Sequence, residues 1–188
     1  PSGTSLSAPP TATSAQITAT TPPAALELLA SAEKSLSDGD LEGAKETLVR
    51  ASALAPQDGK ILVALARVAT TKADVSWLRL RLLPKTATDA RRVASTELGD
   101  AARRAKSAAD AAAAVAPDAL DTARLRVDAL RLSDDVASAR ALTARLAAGT
   151  PSPENALALA ALDLAGEESP TPTTLERLRL ATTTDGGA

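Results

Sequence analysis

From Ala24 onward the chain repeats a helical spacing of apolar residues, and short turns rich in Gly and Pro interrupt that spacing. In the first stretch Leu29 and Leu36 lie on one side of a helix with 3.6 residues per turn. The turn at residues 37–40 contains Gly and ends that helix, and Pro56 ends the next one. No stretch alternates apolar and polar residues with β-branched side chains. The sequence therefore predicts an all-α protein without a sheet.

The same interruptions divide the folded part into nine or ten predicted helices, joined as antiparallel helical hairpins. A four-residue turn separates the first two helices, which is typical of such a hairpin. The predicted helices cover residues 24–36, 41–54, 58–70, 74–83, 88–98, 100–116, 117–132, 134–148, 152–166 and 171–181.

The folded part is expected at residues 24–181, between two segments of different composition. Residues 1–23 carry no charged side chain and consist almost wholly of Pro, Ser, Thr, Ala and Gly, with Leu6 and Ile17 as the two large apolar residues. Such a stretch buries too little surface to offset its ordering entropy, so it predicts an extended linker or tether. If it docks on a neighbouring protein, Leu6 and Ile17 are the expected anchors. Residues 182–188 are expected to form a flexible tail.

The ends and the composition also suggest an origin. The chain begins at Pro1, which predicts a processed product or a piece of a longer protein. Its 45 Ala residues, and 15 Arg against 6 Lys, are typical of a GC-rich bacterial genome. A Ser/Thr/Pro-rich tether favours the cell envelope or periplasm over the cytoplasm, and tethering to the envelope is one reading of residues 1–23.

Missing residue types exclude several function classes. The chain contains no Cys and no His, which excludes disulfides, thiol nucleophiles, imidazole bases and His- or Cys-ligated metals. It contains neither of the glycine-rich phosphate-binding motifs, G-x-x-x-x-G-K-S/T and G-x-G-x-x-G. Its carboxylates are scattered singly along the predicted surface of the helices. No apolar run approaches the roughly 18 residues that a membrane span needs. We therefore expect no enzyme activity, no cofactor, no metal site and no transmembrane segment.

An internal repeat is the most informative motif. Pro117 and Pro151 lie 34 residues apart, and Ala105 and Ala139 share a position in the two units, as do the predicted turn residues Asp100 and Asp134. In the first hairpin the pattern Gly39-x-Leu41-x-x-Ala44-x-x-x-Leu48-x-x-Ala51-x-x-x-x-Pro56 resembles the second half of a tetratricopeptide repeat (TPR). The resemblance covers residues 24–165. The spacing of 61 residues from Pro56 to Pro117 is irregular, and the aromatic positions of the family hold smaller residues here.

The resemblance implies a right-handed array of hairpins whose first helices line a concave face that binds a peptide or a helix of another protein. It places five charged residues on that face: Glu33, Arg67, Arg124, Asp128 and Arg131. The alternative is that these are ordinary solvated charges, some of which pair with one another along a helix. It also implies that Ala44, Ala105 and Ala139 lie at contacts between helices.

Charge is concentrated in the middle of the chain. Residues 72–106 contain nine basic and four acidic residues, whereas the whole chain has a net charge of −2. This segment also contains Trp77, the only aromatic residue of the chain. Trp77 and four nearby arginines are predicted to form part of the protein-binding surface: Arg79, Arg81, Arg91 and Arg92. The alternatives are a solvated basic face and a Trp that fills the core. An acidic protein partner is expected rather than nucleic acid, because only Trp77 is available to stack on bases.

Together these features predict a TPR-like scaffold or adaptor that binds another protein within a larger bacterial assembly. One alternative is an accessory structural subunit that its N-terminal segment laces to neighbouring proteins. A more remote alternative is a regulatory domain of a larger enzyme.

Overall fold

A computed structural model describes residues 21–117, 119–148, 152–166 and 171–182, and every regular element in these ranges is an α-helix. The predicted linker up to residue 20, with Leu6 and Ile17, and the predicted tail from residue 183 lie outside the described residues. The described part contains eight helices: α1 (Pro23–Ser37), α2 (Leu41–Leu54), α3 (Gly59–Leu82), α4 (Thr88–Val115), α5 (Leu120–Leu132), α6 (Val136–Ala147), α7 (Pro153–Gly166) and α8 (Pro172–Thr182). No helix of these ranges is long and apolar enough to cross a membrane.

The described helices number eight rather than nine or ten because two predicted breaks do not occur. The chain continues helically through residues 71–73, where Thr70 and Thr71 donate hydrogen bonds to the carbonyls of Ala66 and Arg67 at 2.9 Å and remain inside the helix. It also continues through Gly99, because a single Gly weakens a helix by about 1 kcal/mol without ending it. The irregular spacing between Pro56 and Pro117 is therefore one enlarged hairpin, α3–α4.

The turns of the α1–α2 and α5–α6 hairpins have the same structure. Gly39 and Asp134 both adopt left-handed backbone, with φ of 80° and 64°. The next residue, Asp40 or Asp135, accepts a hydrogen bond on its side chain from the third residue of the following helix, at 2.9 and 3.2 Å. Asp134 thus corresponds to Gly39. The prediction that Asp100 is also a turn residue was wrong, since Asp100 lies inside α4.

Small side chains bring the helices together. Ala44, Ala105 and Ala139 are fully buried, one in each of three apolar clusters along the array. The first cluster joins α1 and α2 to the start of α3, the second joins α3, α4 and α5, and the third joins α5, α6 and α7. Alanine permits this close approach because it adds no side chain beyond Cβ, and it is also the best helix former.

Each helix packs on the next, and the odd-numbered helices also contact one another in series, α1 with α3, α3 with α5 and α5 with α7. The odd-numbered helices therefore share one side of the molecule, which we call the odd-helix face. At 24 and 28 residues, α3 and α4 are about 36 and 42 Å long, roughly twice the length of their neighbours. Their distal part, residues 75–98, is called the arm.

Candidate functional site

The odd-helix face contains a groove where α1, α3 and the start of α5 meet. This N-terminal groove has a volume of about 720 Å³. Apolar side chains, including Leu26, Val63 and Ala64, form part of its lining, and the charged residues Glu33 and Arg67 also line it. Both charged residues are among those that the TPR resemblance assigns to a concave binding face.

The mouth of the groove is fixed by the start of α3. Asp58 caps this helix by accepting hydrogen bonds from the backbone amides of Lys60 and Ile61, at 2.9 and 3.1 Å. It also accepts a hydrogen bond from the hydroxyl of Thr21. Burial alone would raise the pKa of Asp58, but these donors outweigh it and the pKa is lowered. The residues just before α1 are thereby attached to the rim of the groove.

A second opening on the odd-helix face, of about 360 Å³, lies between α3, α5 and α7 and is called the Arg131 cleft. It is lined by the other three predicted residues of this face, Arg124, Asp128 and Arg131, together with Asp74. The buried guanidinium of Arg131 lies 2.5 Å from a carboxylate oxygen of Asp74 and 3.7 Å from one of Asp128. The Arg131–Asp128 pair therefore forms, as the alternative interpretation expected. Arg124 lies 3.5 Å from the hydroxyl of Ser152.

Asp128 is the residue of this cleft with the most altered acidity. Loss of hydration raises its pKa to about 6, and the nearby carboxylate of Asp74 adds to this effect. The positive charge of Arg131 acts in the opposite direction without cancelling it. Asp128 consequently changes charge near pH 6, and protonation there removes a negative charge that lies 3.7 Å from the guanidinium of Arg131.

Trp77 lies at the base of the arm between two arginines. The guanidinium carbons of Arg81 and Arg131 are 5.2 and 5.6 Å from the centre of its ring, which is cation–π geometry. The ring is half-buried and packs against the cluster of α3, α4 and α5. Arg81 also reaches the backbone carbonyl of Leu164 in α7, at 3.4 Å. Trp77 therefore contributes to the junction between the arm and the rest of the array.

The other basic residues of the arm differ in their roles. Arg91 donates hydrogen bonds to the backbone carbonyls of Leu80 and Leu83, at 3.1 and 2.9 Å, and so satisfies the C-terminal end of α3. Arg79 pairs with Glu97 at 2.9 Å and Arg92 with Asp89 at 3.6 Å, and both arginine side chains are mostly exposed. Of these three arginines, Arg79 and Arg92 thus have mostly exposed side chains, whereas Arg91 is used in a contact with the backbone.

Sequence reasoning missed two acidic residues that form ion pairs between helices, one in the Arg131 cleft and one outside it. Asp74 meets Arg131 across 57 positions of sequence, and no local pattern indicates so distant a pair. Asp163 is buried in α7 and pairs with Arg140 of α6, at 3.0 Å, and with Arg177 of α8. Its acidic side chain in an apolar helix was the one available signal.

In the described ranges, no group of three or more Asp and Glu side chains is arranged to hold a metal ion. Comparison of the chain with models of protein families, with curated proteins and with solved structures gives no match.

Proposed function

We propose that this chain is a non-catalytic protein-interaction scaffold of TPR type that acts within a larger bacterial assembly. The observation that supports the proposal best is the N-terminal groove on the odd-helix face. Its volume of about 720 Å³ falls in the range of 300–1,000 Å³ that is usual for ligand sites. Stacked helical hairpins characteristically use one such extended face for binding.

The lining of the groove suits a peptide segment. Leu26 and Val63 offer apolar surface that a partner side chain can cover, and Glu33, Lys60 and Arg67 supply charges of both signs at the same site. An interface of this kind gains affinity from a desolvated apolar centre, while the polar surroundings set the orientation and exclude unsuitable partners.

Affinity purification from cells of the source organism, with quantitative mass spectrometry, tests the proposal. Leu26→Arg places a charge in the groove, and Leu54→Arg is a matched control on α2, because the two leucines are 46% and 49% exposed. A partner that binds the groove is expected to be recovered about tenfold less with Leu26→Arg, which corresponds to about 1.4 kcal/mol. Leu54→Arg is expected to leave recovery unchanged. Equal recovery with all three proteins would contradict binding in the groove.

A further inference from the structure

One face of α3 changes from buried to exposed halfway along the helix. Ile61, Val68, Val75 and Leu82 are seven residues apart and therefore lie on the same side, with a drift of about 20° per step. The first two are 0% and 1% exposed, whereas the last two are 54% and 82% exposed. Leu78, three residues after Val75, widens this apolar stripe and is 50% exposed.

The α1–α2 hairpin accounts for the difference. Its apolar residues, among them Leu29 and Leu48, form one cluster with Ile61 and Val68 and cover the first half of the stripe. Because α1 and α2 are only 15 and 14 residues long, they end before the arm begins. The second half, Val75, Leu78 and Leu82, presents the same kind of surface without the hairpin that covers the first half. We call it the arm stripe.

The chain itself indicates what covers such a stripe. The covering element on the first half is the helical hairpin α1–α2, and residues 23–54 contain six acidic and three basic residues. Lys72, three residues before Val75, forms an ion pair with Glu42 of this hairpin. An acidic helix is thus a geometrically and electrostatically suitable neighbour for α3.

The charge of the arm favours an acidic occupant as well. Residues 75–98, which form the arm, contain five basic and two acidic residues. Arg79 directly follows Leu78 and pairs with Glu97 at 2.9 Å, and 65% of its side chain remains exposed beside the stripe. A partner carboxylate would be attracted by the net positive charge of the arm, whereas a basic partner would be repelled.

We propose that the arm stripe binds an acidic amphipathic helix of a partner protein, which packs on Val75, Leu78 and Leu82 as α1–α2 packs on the first half of α3. The proposal rests on the scaffold function but concerns a surface separate from the N-terminal groove. Val75 and Leu82 are about 10 Å apart along the axis, so three apolar residues at i, i+3 or i+4, and i+7 of the partner helix can contact the stripe.

Site-specific photo-crosslinking with the full chain in cells of the source organism tests this proposal. A benzophenone amino acid replaces Leu82, or Leu54 as the control on α2. We expect position 82 to crosslink to a partner peptide that is acidic and has apolar residues at helical spacing. We expect no such crosslink from position 54. A synthetic peptide of the crosslinked region should then bind the full chain at least about tenfold more weakly when Leu78→Gln and Leu82→Gln are combined. Arg79→Glu should also weaken it, and Leu54→Gln should not.

Four other outcomes would overturn the proposal: no crosslink from position 82, a crosslink to a second copy of the chain, a crosslink to lipid, or a basic or non-helical partner peptide. The variants are expected to remain folded because the substituted leucines are half or more exposed, and circular dichroism checks this. If position 82 fails while Leu26→Arg still removes a partner, the scaffold function stands and the arm proposal is wrong.

Discussion

At the scale of single residues, Asp134 shows that a residue other than glycine can adopt left-handed backbone in the turn of a helical hairpin. Its φ of 64° is the conformation that Gly39 adopts in the first hairpin. Asp tolerates this region better than most residues, but it still pays the steric cost of a Cβ that glycine avoids.

We expect Asp134→Gly to raise the free energy of unfolding by about 0.5–1 kcal/mol, because it removes that cost at a turn whose other hydrogen bonds are unchanged. Urea denaturation followed by circular dichroism measures the change. Asp38→Gly is the control: Asp38 has an ordinary φ of −82°, so the substitution there should destabilise the protein slightly. A stabilising effect at both positions would refute the argument from backbone conformation.

Asp128 predicts a specific dependence of stability on pH. Its pKa is about 6 in the folded protein and near 4 in an unfolded chain, so the folded state binds the proton more tightly. This contribution to stability is present at low pH and is lost as the pH rises through 6.

As the pH rises from 5 to 7.5, we therefore expect the free energy of unfolding of the wild type to fall by about 1 kcal/mol relative to that of Asp128→Asn. The pKa shift alone would give a larger change, but 37% of the Asp128 side chain is exposed, and solvent screening reduces the effect. Denaturation curves of both proteins at the two pH values give the difference. Asp58 and Asp163, whose pKa values are lowered, act in the opposite direction in both proteins and cancel from the comparison. If the difference in the free energy of unfolding between the two proteins is the same at both pH values, Asp128 does not titrate in this range.

At the scale of helices, the α3–α4–α5 cluster depends on alanine at close contacts. Ala105 is completely buried there. Ala105→Leu should lower the free energy of unfolding by about 1–3 kcal/mol, because the added atoms have no space without displacing a neighbouring helix. Ala111→Leu, on the exposed side of the same helix, is the control and should change stability by less than about 0.5 kcal/mol. Thermal melts of the two variants decide the matter, and equal melting temperatures would show that α4 is not closely packed at Ala105.

Trp77→Ala is expected to lower stability as well, by about 2–3 kcal/mol, because a half-buried ring that contacts the core is removed from beneath two guanidinium groups. Trp77→Phe should recover part of the loss. Chemical denaturation monitored by circular dichroism measures both variants. If Trp77→Ala leaves stability intact and weakens only partner binding, the ring acts as an interface anchor instead.

The helical class and most helix ends were predictable because they depend on local signals, such as the side-chain caps at Asp40 and Asp58 and the Gly39 turn. The lengths of α3 and α4 were not. Whether a helix continues through Thr71 or Gly99 depends on packing against distant helices, which no local pattern contains. The spacing of Asp128 and Arg131 on one helix indicated that these two residues can pair, but it did not indicate Asp74, which is 57 positions from Arg131.

At the scale of the whole molecule, the enlarged hairpin alters how the array holds together. In a simple repeat protein each unit contacts only its neighbours, so the ends can open independently. Here α3 contacts α1, α2, α4 and α5, and Arg81 near its end reaches Leu164 of α7. Native-state hydrogen exchange is therefore expected to show the highest protection in α3 and α4. Greater protection in α1 or α8 than in α3 would contradict this.

The position of Trp77 also has a spectroscopic consequence. The chain contains no Tyr and no other Trp, so its near-ultraviolet fluorescence comes from one ring alone. That ring lies where the arm joins α5, between Arg81 and Arg131. Any event that separates the arm from α5 exposes the indole to water and shifts its emission to longer wavelength, without a label and without a background signal from elsewhere in the chain.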